Sequence, residues 1–89
     1  MELKDTYELM TSLDYRKRFK AEYLQTKIRY EKLKDFNNRI EASMYSLNVK
    51  EPVHDCPLSL LKEQQAAMGN LLRIYELRAV IEDIDLGAN

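Results

Sequence analysis

The chain has 89 residues, enough for a single domain over residues 1–89, but two helices of this size cannot enclose a large core alone. Hydrophobic residues make up 45% of it and charged residues 33%, with two glycines and two prolines, which favours long amphipathic helices over disorder or a turn-rich β fold. The formal net charge of -1 argues against a duplex nucleic-acid binder, and the single cysteine excludes an internal disulfide framework and fits a reducing cytosol.

The sequence shows no targeting or membrane-spanning pattern. The stretch from Met1 to Met10 has neither the basic start nor the apolar run of a signal peptide. No apolar run approaches the roughly 20 residues that cross a bilayer. We therefore expect a soluble protein that is not secreted.

A short amphipathic segment is predicted at the start of the chain. Leu3, Tyr7 and Met10 have helical spacing, and Thr11 and Ser12 are expected to end the segment. Either of these two residues is a suitable N-cap for the helix that follows. Thr11 and the acid three positions later resemble a capping box, and Ser12 is an equally good cap.

The first long helix is predicted over about residues 12–46. It carries a heptad seam of nine positions spaced alternately four and three residues apart. A stripe with this 3.5-residue period lines one face of a helix that needs a partner helix. The seam consists of Phe19, Tyr23, Thr26, Tyr30, Leu33, Asn37, Ile40, Met44 and Leu47.

A connection over residues 47–57 separates the two long helices, because Pro52 and Pro57 remove backbone donors and the intervening residues show no period. The second helix is predicted over about residues 57–86, with Asp55 or Cys56 as its cap and Gly87 as its left-handed stop. Its seam consists of Leu58, Leu61, Gln65, Met68, Leu72, Tyr75 and Ala79.

The second helix has more apolar surface than one partner helix covers. Beside its seam runs another stripe, widened by Leu77 and Ile84, that consists of Leu60, Ala67, Leu71, Ile74 and Ile81. This excess predicts self-association. The expected fold is all-α: a long two-helix antiparallel hairpin with a short N-terminal helical segment, assembling as a homo-oligomeric helical bundle. Gly69 within the helix indicates either close approach of another backbone or simple tolerance.

Catalytic chemistry is not indicated. Catalysis needs several titratable or ligand groups in a shielded cleft, and a two-helix chain with one histidine and one cysteine offers few. His54, Asp55 and Cys56 are adjacent on the connection, but a closed zinc site needs four ligands. We therefore favour an ordinary loop, and we predict no catalytic residue, no metal and no cofactor.

The strongest chemical signal is the alternation of cations and tyrosines on the first helix. Lys20, Lys27 and Lys34 recur every seven residues beside Tyr23 and Tyr30. Cations beside aromatic rings suit nucleotides, because the charges bind phosphate and the rings stack on bases. The alternative is that seam tyrosines are core residues and the flanking lysines simply extend into water. Arg73 and Arg78, with Tyr75 between them, could add a wall from the second helix. The predicted ligand-binding residues are Arg16, Lys20, Tyr23, Lys27, Tyr30, Tyr75 and Arg78.

Roles follow from side-chain chemistry. Arg16, Lys20 and Lys27 are expected to contact phosphate, and Arg78 is expected to act as a second anion clamp. One or more of the three tyrosines would stack on the base.

The runs Asp14–Lys34 and Asn38–Ala42 on the first helix, and His54–Leu58, Leu60–Gln65, Ala67–Met68 and Glu76–Glu82 in the second half, form one pattern. This pattern resembles a family of small proteins carried by phages and prophages and named after a crAss-like phage protein. The resemblance covers about residues 14–86. It implies a phage accessory protein acting in the cytoplasm of an infected bacterium, and it carries no assigned active residue to this chain.

Small helical phage proteins often oppose host defence, and helical-hairpin oligomers can hold cyclic nucleotides or ADP-ribose-type signals. The resemblance therefore implies a homo-oligomeric counter-defence protein that sequesters a small anionic nucleotide immune signal without catalysis. The alternative is a helical protein–protein interaction module that inhibits a host defence protein or assists phage morphogenesis. A DNA or RNA accessory role is a third possibility, which the slightly acidic balance disfavours.

Overall fold

The computed structural model describes residues 2–87, and within this range it is all-helical. A 3₁₀ turn, Leu3–Thr6, leads into the short helix α1, Tyr7–Met10. Two long helices follow, α2, Tyr15–Tyr45, and α3, Leu58–Glu82. The all-α prediction is confirmed. The molecule measures 49 × 24 × 21 Å, and neither long helix is apolar enough to cross a membrane.

The start of α2 differs from the prediction, because Asp14 is its N-cap. The Asp14 carboxylate accepts a 2.9 Å hydrogen bond from the backbone N–H of Arg16. Ser12 Oγ accepts instead from the N–H of Asp14 at 3.1 Å, and Thr11 ends α1. A carboxylate at the N-cap also interacts favourably with the positive end of the helix dipole, so the helix begins three residues later than expected.

The α2 seam packs against α3 over most of its length. Phe19, Tyr23, Asn37 and Ile40 are buried, and the other seam residues up to Leu33 are half-buried. The prediction is wrong for Met44 and Leu47, which are exposed. An ion pair between Glu41 and Lys62 marks the first turns of α3, so residues further along α2 have no helix opposite them within the part of the chain that the structure describes.

All seven predicted seam positions of α3 are buried or half-buried. The ends of the helix differ from expectation. Pro57 itself is the N-cap, with neither Asp55 nor Cys56 in that place. At the other end Asp83 adopts the left-handed conformation, with φ 57° and ψ 49°, which aspartate tolerates better than most residues.

The predicted stop at Gly87 is therefore wrong. The N–H of Ile84 donates a 2.8 Å hydrogen bond to the carbonyl of Ala79, five residues back, as in a Schellman motif. This bond satisfies a carbonyl of the last turn and ends α3 at Glu82. Gly87 has no positive φ.

The N-terminal segment packs on α2. Thr6 is fully buried, and its hydroxyl donates to the carbonyl of Leu3 at 2.7 Å and accepts from Gln25 Nε2 at 2.9 Å. An exposed ion pair between Glu2 and Lys32, 3.7 Å apart, lies further along the same side of α2. The segment therefore covers a face of α2 that α3 leaves free.

The second apolar stripe of α3 faces away from α2. Leu60, Leu71, Ile74 and Ile81 are exposed in the single chain, as is Ala67. Of the two residues expected to widen this stripe, Leu77 is exposed and Ile84 is half-buried. We call the exposed set Leu60, Ala67, Leu71, Ile74 and Ile81 the outer stripe.

Candidate functional site

One edge of the α2–α3 pair brings together tyrosines, cations and a carboxylate. The hydroxyl of Tyr23 donates a 2.7 Å hydrogen bond to Glu76 Oε2. Two turns further along α2, the ring of Tyr30 approaches Gly69 so closely that an added Cβ would lie 3.2 Å from Cε1. We call the six residues along this line the tyrosine edge: Tyr23, Lys27 and Tyr30 of α2, and Gly69, Arg73 and Glu76 of α3.

Gly69 thus admits an aromatic side chain of the same chain. Of the two sequence interpretations, close approach and simple tolerance, the first fits better. The approaching group is the Tyr30 ring, where we had expected a backbone. The ring is half-buried, with part of its surface open at the edge.

Tyr23 remains a neutral phenol over a wide pH range. Its burial, followed by the hydrogen bond to Glu76 and the charge of that carboxylate, raises the pKa of Tyr23 to about 12. The ammonium of Lys27 lies over the Tyr23 ring, 5.9 Å from its centroid, within the range of a cation–π interaction. The tyrosine therefore adds no negative charge that would repel an anion.

Arg73 joins this edge from α3. It follows Gly69 by four residues and precedes Glu76 by three, a spacing that places all three on one side of the helix. The pairing of Tyr23 with Glu76 and Tyr30 with Gly69 sets Arg73 close to the level of Lys27. The predicted site set lacked Arg73. The sequence offers Arg73 and Arg78 together as a wall from the second helix, and the structure places Arg73 alone on this edge.

Lys20 and Arg16 continue the cationic line along α2. Lys20 is only 8% exposed. Its ammonium is nevertheless not a buried atom without a partner, because within residues 2–87 that description applies to Asn37 Oδ1 alone. The stem of Lys20 is therefore covered while its ammonium reaches the surface. Arg16 Nη1 donates to the carbonyl of Asp83 at 3.3 Å, at the end of α3.

Arg78 lies on the opposite edge of the pair. It is two residues from Glu76, which is about 200° around a helix. Its Nε donates to Glu82 at 3.0 Å, its Nη2 donates to the Tyr15 hydroxyl at 2.6 Å, and its guanidinium lies 4.8 Å from the Phe19 ring centroid. The hydrogen bond to Glu82 raises the pKa of Arg78 above the ordinary value for arginine. The Glu82 carboxylate offsets its charge.

Tyr75 is half-buried near this opposite edge, with its ring 5.4 Å from that of Phe19 in an edge-to-face arrangement. The predicted set is thus divided. Arg16, Lys20, Tyr23, Lys27 and Tyr30 share one side of α2, whereas Tyr75 and Arg78 contact Phe19.

A groove adjoins the tyrosine edge on the outer side of α2. Its volume is about 370 Å³, and it is lined by Leu24, Lys27, Ile28, Glu31 and Lys32. Small-molecule sites occupy roughly 300–1,000 Å³, so the groove is at the small end of that range. Lys27 belongs to both the groove and the edge.

The connection between the helices holds the histidine in place. His54 Nδ1 lies 2.7 Å from the carbonyl oxygen of Cys56, and Nε2 lies 3.1 Å from Glu51 Oε1. The bond to the Cys56 carbonyl, followed by that to Glu51, raises the pKa of His54. Within residues 2–87, no group of three or more histidine, cysteine or acidic side chains is placed to hold a metal ion.

Among curated proteins and among solved structures, no match was found. A family model described as Sequestin matches residues 13–81. The matched range contains α2, the connection and nearly all of α3, and therefore every residue of the tyrosine edge. Because the match extends over most of the sequence, the chain belongs to the Sequestin family.

Proposed function

We propose that this protein sequesters a small anionic nucleotide signal at the tyrosine edge and does not alter it chemically. The observation that carries the proposal is the position of the Lys27 ammonium over the Tyr23 ring, 5.9 Å from its centroid, on the edge that also holds Tyr30. Helical spacing places a second cation, Arg73, on the same edge. The family name, Sequestin, suggests the same class of activity.

The chemistry of the edge suits a nucleotide. Lys27 and Arg73 are exposed, so their charges are available to phosphate oxygens, and guanidinium groups bind phosphate in a two-pronged geometry. The half-buried Tyr30 ring offers a surface for base stacking. Glu76 is engaged by the Tyr23 hydroxyl, which reduces its repulsion of an anion. Lys20 and Arg16 would extend the cationic line to a second phosphate.

The adjoining groove favours a ligand with an apolar part beside its charges. Leu24 and Ile28 supply apolar walls, and Lys27 and Lys32 stand at the rim. A cyclic nucleotide or an ADP-ribose-type signal has both components. The site holds no arrangement of titratable groups for acid–base or nucleophilic chemistry, and we propose binding without catalysis.

The proposed setting is the cytoplasm of an infected bacterium. A phage protein that removes a nucleotide signal would keep the host's defence effectors silent. Sequestration needs a protein concentration comparable to that of the signal, which a small, simply folded chain can reach. We propose that the active form is a homo-oligomer, because the outer stripe remains exposed in one chain.

Native mass spectrometry of the purified protein, mixed with cyclic dinucleotides, cyclic trinucleotides and ADP-ribose derivatives, tests this function. We expect one class to bind stoichiometrically and to be recovered unchanged after denaturation. Lys27→Glu and Arg73→Glu should each weaken binding about tenfold or more. The matched control is Arg29→Glu, which reverses an exposed charge two residues from Lys27 and therefore about 200° around α2 from it.

Two results would overturn the proposal. One is normal affinity in both edge variants, and the other is recovery of a converted ligand. Lys20→Glu is a poorer probe, because the stem of Lys20 is buried and the change would also disturb packing.

The second candidate function is a helical module that binds a host defence protein or a phage assembly protein. The exposed outer stripe favours it, since an apolar helix face suits the groove or helix of another protein. This function predicts that no nucleotide in the panel binds and that a purified target forms a defined complex that Leu71→Asp abolishes.

A further inference from the structure

The outer stripe has the pattern of a helix-pairing surface. Its residues, with Gln64 and Arg78 between them, follow alternating spacings of four and three along α3. Leu71 is 39% exposed and Ile74 is 41% exposed, although both lie in the middle of α3. From Leu60 to Ile81 the stripe extends about 30 Å. This length suits another long helix better than a compact ligand.

Charges along the stripe distinguish between the possible orientations of that helix. Glu63 lies near one end of the stripe and Arg78 lies in line with it near the other end. Within residues 2–87, Glu63 makes no ion pair, and Nη1 of Arg78 makes no hydrogen bond. Arg78 already pairs with Glu82, so Glu63 decides the orientation: parallel pairing with a second copy would set the two Glu63 carboxylates beside each other. Antiparallel pairing would place Glu63 of each copy within reach of Arg78 of the other.

Residue sizes favour the same orientation. In an antiparallel pair with its two-fold axis beside Leu71, Ala67 faces Ile74 of the second copy, and Leu60 faces Ile81. A small side chain, Ala67, thus faces a large one, Ile74, near the centre of the pair, which allows close packing. In a parallel pair, Ala67 would face Ala67 and leave a gap.

We propose that a second copy of this chain covers the outer stripe, with the two α3 helices antiparallel about a two-fold axis beside Leu71. The inference rests on the homo-oligomer of the proposed function, but it concerns helix pairing in the absence of nucleotide. A monomer that still binds nucleotide would overturn the pairing alone, and a dimer that binds no nucleotide would overturn the sequestration alone.

Sedimentation equilibrium of the full chain without ligand is the first test. We expect the wild-type mass to be an even multiple of one chain, and Leu71→Asp and Ile74→Asp each to halve it or reduce it to a single chain. The control is Val80→Asp, which is on the same helix, 82% exposed and off the stripe, and should keep the wild-type mass. Circular dichroism checks that helicity is retained.

A monomeric wild type overturns the pairing, as does wild-type mass in both folded stripe variants. A monomer that forms a complex of defined stoichiometry with another purified protein through Leu71 would assign the stripe to that protein instead.

Disulfide cross-linking tests the orientation independently and leaves the central leucine in place. In a Cys56→Ser background, Ala67→Cys and Ile74→Cys proteins are mixed and oxidised. Antiparallel pairing predicts a mixed disulfide between positions 67 and 74 and little 67–67 product, because those two positions would lie about 10 Å apart along the axis. Predominant 67–67 and 74–74 products would show parallel pairing and overturn the proposal.

Discussion

The hydroxyl of Tyr23 donates a 2.7 Å hydrogen bond to Oε2 of Glu76, joining the two long helices at the tyrosine edge. The tyrosine is buried, whereas Glu76 is exposed. The bond therefore fixes a buried ring to a carboxylate that water also reaches. It helps to fix the register of the two helices, that is, which residues of α2 lie beside which residues of α3. Lys27 lies over the same tyrosine ring.

Removal of this hydroxyl should lower the free energy of unfolding modestly and change how that free energy depends on pH above about pH 10. Tyr23→Phe is expected to lower the free energy of unfolding by about 1 kcal/mol at neutral pH, the usual loss of one hydrogen bond. The pKa of Tyr23, raised to about 12, lies above that of an exposed tyrosine, so the neutral phenol stabilises the fold. That stabilisation is complete below pH about 10 and is lost as pH rises to about 12.

Urea unfolding between pH 8 and pH 12 measures this effect. Toward the upper end of this pH range, the free energy of unfolding of the wild type should fall more steeply with pH than that of Tyr23→Phe. The control is Tyr45→Phe, because Tyr45 is exposed. Parallel pH profiles for the wild type and Tyr23→Phe would contradict the assignment.

Removal of a hydrogen-bond partner of the buried Asn37 amide should lower the stability of the protein. Asn37 is 1% exposed, and its Nδ2 donates to Gln65 Oε1 at 2.9 Å and to the Leu61 carbonyl at 3.2 Å, while Oδ1 has no partner among residues 2–87. Gln65→Leu removes one acceptor of a buried donor, so we expect a loss of about 1–3 kcal/mol. The double variant Asn37→Leu, Gln65→Leu should be at least as stable as the wild type.

A double-mutant cycle by chemical denaturation tests this. Replacing both partners by apolar groups removes the unpaired oxygen as well as the bond. Additive losses in the two single variants and the double variant would show that the pair does not act as a unit.

Alanine at position 69 should separate stability from ligand binding. Gly69→Ala gains up to about 1 kcal/mol of helix propensity, and the half-buried Tyr30 ring can move by the few tenths of an ångström that the 3.2 Å approach requires. We expect a more stable helix pair and, because the ring is displaced, weaker nucleotide binding. Ala66→Gly, at an exposed position of the same helix, measures how much stability a glycine costs in α3. Destabilisation by Gly69→Ala would mean that the ring cannot shift.

His54 should titrate above its ordinary value. Its two nitrogens face the carbonyl of Cys56 and the carboxylate of Glu51, and both contacts favour the protonated ring. Since the chain has one histidine, its imidazole resonances follow the titration without assignment. Glu51→Gln should lower the pKa of His54 only in part, because the Cys56 carbonyl is the larger cause.

The effect on stability has a defined sign. A raised folded pKa means that the contribution of His54 is complete below pH about 6.5 and is lost as pH rises through the folded pKa. His54→Asn should therefore destabilise the protein more at pH 5.5 than at pH 8. A pKa at or below 6.5 would contradict the observed contacts.

The heptad pattern predicted the packed face of α3 at every position, because a periodic apolar stripe is a local property of the chain. It failed at Met44 and Leu47 on α2, where the stripe continues past the end of the partner helix. The stop of α3 at Asp83 was also not predicted. A left-handed aspartate is selected by the bond between Ile84 and Ala79, whereas the sequence offered a glycine four residues later.

The sequence by itself determined two long amphipathic helices and placed Lys20, Lys27, Tyr23 and Tyr30 along one side of the first, since helical periodicity alone fixes that side. Only the tertiary structure decided what faces them. The pairing level of α2 and α3 depends on contacts between residues far apart in sequence, such as Tyr23 with Glu76. That level brings Arg73 to the tyrosine edge. The rotation of α3 about its own axis directs Arg78 to the opposite edge.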